Sequence, residues 1–159
     1  MILKPDYNLK NIYEITPQML LDMGIKAMFI DLDSTTMVSK SGKFTKETLE
    51  WFEQFRKDFY MAIVTNNKNP EYTKNAKKSV KFRIIEDAHK PWTKKIKTLI
   101  KQLFMEPKDV VIIGDRPLTD ILVGKLCGTR TILVGSINEN ENTPTKFVRF
   151  LERLTIRNF

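Results

Sequence analysis

Asp31 and Asp33 stand one residue apart at the end of the apolar run Met28-Phe29-Ile30. In an extended chain alternate side chains share a face, so both carboxylates fall on the same side where the run ends. Two carboxylates this close do not both ionise freely unless a cation lies between them or one keeps its proton. Each arrangement is useful chemistry: a divalent magnesium site, or a nucleophile beside an acid/base. An acidic turn after a strand would give the same string, so the chemistry depends on what else reaches that point. Three later stretches are candidates: Thr65-Asn66 after an apolar run, Lys90-Pro91, and Gly114-Asp115 followed by Asp120.

Those residues need a scaffold, and the pattern of the chain predicts one. Apolar runs without helical caps read as strands covered on both faces over 25–31, 59–64, 82–85, 109–113 and 131–134. Between them the 3.6-residue period and the caps predict helices. Thr16-Pro17 opens a short one closed by Gly24, and Thr45 caps a second running to Lys57. Further helices are expected over 71–78, Pro91–Phe104, Pro117–Leu126 and Pro144–Leu154. The aromatics of the second helix recur at helical spacing and read as core, not as a base-stacking platform. Strands alternating with helices give an α/β fold with parallel pairing, a Rossmann-like five-stranded sheet with helices on both faces. Sites in such sheets lie beyond the carboxyl ends of the strands. Four of the predicted strand ends carry Asp31/Asp33, Thr65/Asn66, the Lys90 loop and Asp115.

The 159 residues predict a single domain over 1–159, in which 1–24 is an arm and short helix packed on the core. Hydrophobic content of 42% and charged content of 29% are those of a soluble globular chain. Lys and Arg number 27 against 19 Asp and Glu, a net charge of +8, so polyanions are attracted: nucleic acid, anionic lipid headgroups or phosphorylated substrates. One cysteine, Cys127, permits no internal disulfide and suits a reducing compartment. With one histidine, His89, a Cys/His zinc site has too few ligands. The N-terminus lacks the pattern of a secretory signal, and no apolar run approaches the ~20 residues that span a bilayer. The expected location is cytoplasmic, peripheral at the inner membrane surface at most. Neither a G-x-G-x-x-G nor a Walker A string is present, so no nucleotide-cofactor site is indicated.

Taken in order, the strand ends resemble the haloacid dehalogenase superfamily of phosphatases. Asp31-Leu32-Asp33-Ser34-Thr35 is similar to motif one, Val64-Thr65-Asn66 to motif two, Lys90-Pro91 to motif three, and Gly114-Asp115 with Asp120 to motif four. The Leu3-x-Pro5 arm, the Lys90-Pro91-Trp92 turn, the Thr119-Asp120 pair and the segment Gly128–Val134 resemble the capless subfamily IIIA, which includes phosphatidylglycerophosphatases. Ser34, Thr36 and Arg116-Pro117 depart from the usual pattern.

The resemblance implies that Asp31 attacks phosphorus and that Asp33 protonates the leaving oxygen and then activates water. It implies Mg²⁺ on the Asp31 and Asp115 carboxylates and the Asp33 backbone carbonyl, with phosphoryl oxygens held by Thr65 and Asn66. Lys90 would balance the negative charge, and Asp120 would orient Lys90 or a metal-bound water; a salt bridge near a helix start is the plainer reading of that pair. With no room for a cap domain, the substrate implied is large and anionic, phosphatidylglycerophosphate before a polynucleotide or a phosphoprotein. From another class, the chain would be a binding module that keeps the fold without turnover. The sequence does not speak to oligomeric state.

Overall fold

The computed structural model describes residues 2–137. The helix expected over 144–154 lies outside them.

Six strands, all parallel, form one sheet: β1 (Tyr7–Leu9), β2 (Ala27–Ile30), β3 (Tyr60–Val64), β4 (Arg83–Ile85), β5 (Val110–Gly114) and β6 (Arg130–Val134). Their order across the sheet is β1-β6-β5-β2-β3-β4. β2 is central, with Ala27 in register with Tyr60 on one side and with Val110 on the other. Alternation along β2 splits the core in two: Met28 and Ile30 join one cluster, Ala27 and Phe29 the other. Helices α1 (Pro17–Asp22), α2 (Lys46–Glu53) and α3 (Pro70–Ser79) contribute to the first through Leu20, Trp51, Phe52 and Ala76. Helices α4 (Lys94–Gln102) and α5 (Leu122–Cys127) contribute to the second through Ile96, Leu99, Ile100 and Val123. A strand buried on both sides by helices needs continuous apolar residues, and β2 has no exposed position.

The caps explain where the helices begin. Thr16 Oγ1 accepts from Met19 N at 3.2 Å and Thr45 Oγ1 from Thr48 N at 3.1 Å, each satisfying a donor that the first turn leaves open. Gly24 and Gly128 follow α1 and α5 in the left-handed region, where glycine carries no steric penalty.

Two expectations need correction. The sheet has six strands because the arm supplies β1, which pairs with β6 as Tyr7 with Ile132 and Leu9 with Val134. Three half-exposed residues are too short to show a period, and the strand exists because β6 offers an edge. The helix expected from Pro91 starts at Lys94, since residues 89–92 make a turn in which Trp92 N donates to the His89 carbonyl at 2.7 Å. Between β2 and α2 lie residues 31–45, and α3 is the one helix in the β3–β4 connection, so neither gap carries an added layer.

Candidate active site

β2 stops at Ile30, but Asp31 N still donates to the Ile113 carbonyl at 2.9 Å, which fixes the first carboxylate at the mouth of the sheet. The chain then folds back on itself. Thr36 N and Met37 N donate to the Leu32 carbonyl, and Thr36 Oγ1 donates to the carbonyls of Asp31 at 3.0 Å and Leu32 at 3.1 Å. A buried hydroxyl at position 36 thus has work that an aliphatic residue would not do. Ser34 stands at φ 67°, in the left-handed region that glycine and asparagine enter more readily than serine.

Lys90, fully inside, joins two elements. Its Nζ donates to Asp31 Oδ1 at 2.8 Å and to Asp120 Oδ1 at 2.6 Å, with the lysine and Asp120 side chains 3% and 1% exposed. Burial works against the ammonium charge, but Asp120 and Asp31 outweigh it and hold the lysine above its ordinary pKa. Burial raises Asp120 above the usual carboxylate range, and the Lys90 charge opposes that rise. The second Asp120 oxygen accepts from Arg116 N at 3.1 Å. Asp120 reaches this position from the irregular turn Pro117–Ile121 because Gly114 has no side chain; a Cβ there would overlap the Asp120 carboxylate. The expected salt bridge and the expected orientation of Lys90 are therefore one arrangement.

Asp115 lies just beyond β5, buried, and Thr35 Oγ1 bridges it to Asp31, at 3.0 Å from Asp115 Oδ1 and 3.3 Å from Asp31 Oδ2. Asp31, Asp115 and Asp120 each place one carboxylate oxygen within 4.8 Å of the others, the one such convergence of three acidic ligands among the described residues. The donor set is all oxygen, which suits a hard cation of the Mg²⁺ type. All three carboxylates converge on that point, and two of them, Asp31 and Asp120, share the Lys90 ammonium as well.

The Asp33 carboxylate goes elsewhere: its Oδ1 accepts from the hydroxyl of Tyr72 in α3. Burial, with Asp31 nearby, raises the Asp33 pKa, although hydrogen bonds from Tyr72, the Lys40 N–H and Asn67 pull the other way. Motif two is close by in the fold. Thr65 is buried at the end of β3, where its Oγ1 accepts from Asn67 N at 3.0 Å and its carbonyl accepts from Ala88 N at 2.9 Å. The Asn66 side chain grips the Lys90 backbone, accepting from its N–H at 2.7 Å and donating to its carbonyl at 2.9 Å. The structure thus gathers Asp31, Lys90, Asp115 and Asp120 directly, and ties Asn66 to them through Lys90. His89 is an exposed loop residue, and Cys127 is buried in the second core cluster.

With this geometry in view, comparison with known proteins decides the family. The family model "Mitochondrial PGP phosphatase" matches residues 1–137. The chain belongs to the mitochondrial PGP phosphatase family. "Probable phosphatase YqeG" of Bacillus subtilis is 32% identical over 149 residues, covering 94% of this chain and 87% of its own. Among solved structures, an uncharacterized protein from Listeria monocytogenes is similar with TM-score 0.55 and 15% identity over 85% of this chain and all (100%) of its own. A HAD-like family hydrolase from Porphyromonas gingivalis is similar with TM-score 0.54 and 11% identity, over 80% of this chain and 98% of its own. The likeness to these two structures is one of fold alone, which for the second is that of a HAD-like hydrolase, and the family match makes this chain a phosphatase.

Sequence reasoning missed two side chains of this phosphatase site. Thr35 lies inside the first motif, and no string flags a threonine whose hydroxyl bridges Asp31 to an aspartate 80 residues further along the chain than itself. Tyr72 sits on a lysine-rich helix outside every motif, and only the fold brings it to Asp33.

Proposed function

We propose that this phosphatase hydrolyses phosphate monoesters through an aspartyl-phosphate on Asp31, with Asp33 as acid/base, Mg²⁺ as cofactor and a membrane lipid phosphate, phosphatidylglycerophosphate, as substrate. One domain over 1–159 carries it. The observation that carries the reading is the division of labour between the two aspartates. Asp31 lies against Lys90 and, through Thr35, beside Asp115, where anionic oxygens of a phosphoryl group meet positive charge. Asp33 is held apart with a pKa raised by burial, as a group that gives and retakes a proton requires.

Mg²⁺ bound by the Asp31 and Asp115 carboxylates and the Asp33 backbone carbonyl would screen the repulsion between a carboxylate and a phosphate. The chain's own residues do the rest. Asp120 and Asp31 hold Lys90 charged, and Asn66 fixes the backbone that carries it. On this reading Thr65 and the Asn66 N–H bind phosphoryl oxygens, and Asp31 attacks in line. Loss of the leaving oxygen takes the proton of Asp33, which then removes one from water.

Two features favour a substrate at a surface. No added layer covers the strand ends among the described residues, and the loops there expose Val38, Trp92 and Leu118 together with Lys40, Lys43, Lys68 and Lys94. Tryptophan with lysine is the composition of a protein surface that meets lipid headgroups. No helix among the described residues is long and apolar enough to cross a membrane, so contact would be peripheral.

Phosphate release should be measured on phosphatidylglycerophosphate vesicles, a 3′-phosphorylated oligonucleotide and a phosphopeptide, with wild type and Asp31→Asn, with and without chelator. We expect the lipid to turn over fastest, chelator to stop it, and the Asn variant, folded, to lose at least about a thousandfold because an amide does not attack. Near-normal turnover by Asp31→Asn removes the nucleophile assignment, and a faster oligonucleotide or peptide replaces the lipid.

A further inference from the structure

Tyr72 belongs to none of the motifs, yet its hydroxyl donates to Asp33 Oδ1. Its ring packs against the core cluster shared by α2 and α3, and its oxygen accepts from Lys40 N at 3.0 Å. A phenol has a single proton to give. Of the two acceptors it faces, the Asp33 carboxylate is far stronger than Met37 Sδ at 3.8 Å, so that proton goes to Asp33. A phenol ionises near pH ~10, so Tyr72 is a donor throughout the neutral range.

We propose that Tyr72 is a positioning residue for Asp33: it anchors Oδ1 and leaves proton transfer to the other oxygen. The proposal rests on the reading of Asp33 as acid/base. In the first step an Asp31 oxygen bonds to phosphorus, and the bond from phosphorus to the ester oxygen breaks with its electron pair on that oxygen. The proton passes from Asp33 to the same oxygen. Negative charge therefore grows on Asp33 as the bond breaks, and a donor fixed on Oδ1 binds a carboxylate more strongly than a carboxyl. Only an interaction that strengthens along the step accelerates it. Ser34 and Lys40, both left-handed, stand at the two ends of the loop that follows Asp33, and that loop brings the Lys40 N–H to the phenol.

The test uses leaving groups. An alkoxide leaves poorly and needs the proton, whereas 4-nitrophenolate leaves well without it, and kcat/KM reads this first step whatever limits kcat. Tyr72→Phe keeps the ring and removes the proton. Its kcat/KM should fall about tenfold more on glycerol phosphate than on 4-nitrophenyl phosphate, a share of the 10²–10⁴-fold that acid/base catalysis supplies. In an Asp33→Asn background the amide oxygen still accepts from the phenol but there is no acid proton to transfer, so the same change should cost nothing further on either ester. Equal losses on the two esters at unchanged Tm, losses that add in the double variant, or a gain in rate would each overturn the proposal. If Tyr72→Phe does not fold, Tyr72→Met is read in the same way. Should Asp33→Asn itself fail to discriminate between the esters, the acid/base reading of Asp33 falls instead.

Discussion

Gly114 decides the site as firmly as any charged residue, because the Asp120 carboxylate occupies the space its side chain would take. Gly114→Ala should drive Asp120 away from Lys90 and leave a buried ammonium with one partner. Breaking a buried pair costs about 3–5 kcal/mol, so we expect a loss of that order in denaturant unfolding together with a fall in phosphatase rate. An unchanged Cm would mean that Asp120 moves without cost. The sequence made Asp31, Asp33 and Asp115 legible because a carboxylate at a strand end stands out from an apolar run, and Asp120 only through its place in the fourth motif. It hid Thr35, Tyr72 and the Asn66 side chain, because each works through a partner far along the chain: Tyr72 is 39 residues from Asp33, and Asn66 is 24 from Lys90. Spacing reveals what one element presents to solvent. It does not reveal which side chain of a neighbouring helix turns inward.

β1 shows the same limit at the scale of an element, and also what holds a strand that composition does not predict. Asp6 clamps it. Its Oδ2 accepts from Thr131 N at 2.8 Å and Thr131 Oγ1 at 3.0 Å, and Lys125 Nζ lies at 3.3 Å from the same oxygen. Burial pushes the Asp6 pKa up, but the Thr131 N–H, Lys125 and Arg130 together bring it below the ordinary aspartate value. A carboxyl whose folded pKa is depressed stabilises the fold above its unfolded pKa, near 3.9, and loses that contribution as pH falls through the lower folded value. Acidification below about pH 4 should therefore release β1 ahead of the inner strands. Hydrogen exchange of the Asn8 and Leu9 amides checks this. Asp6→Ala should expose them at neutral pH and cost about 1–3 kcal/mol, whereas unchanged protection would make the backbone ladder sufficient. The helices were the legible elements because caps such as Thr16 and Thr45 are local, and the late start of α4 was not, because the turn before it depends on Asn66, two residues beyond β3.

For the molecule as a whole, the charge of +8 and the lysines around the strand ends make an ionic-strength experiment informative. Each basic residue near an anionic bilayer contributes about 1 kcal/mol, and screening at physiological salt confines this to ~8 Å. Turnover of phosphatidylglycerophosphate in anionic vesicles should fall steeply with added salt, while that of 4-nitrophenyl phosphate changes little. Replacing Lys40, Lys43, Lys68 and Lys74 by Gln should weaken vesicle binding and lipid turnover and spare the aryl ester; equal losses on both would place these lysines with the fold instead. The order of the sheet carries a different consequence. Tyr7 pairs with Ile132, so β1 is made before every other strand of the sheet and is the last of them able to find its neighbour. It waits without that neighbour until residues near 134 have been made, and only then can the sheet close. Asp31 and Asp33 likewise precede Asp115 and Asp120 in synthesis, so a nascent phosphatase of this topology assembles its site only when the later strands join the sheet.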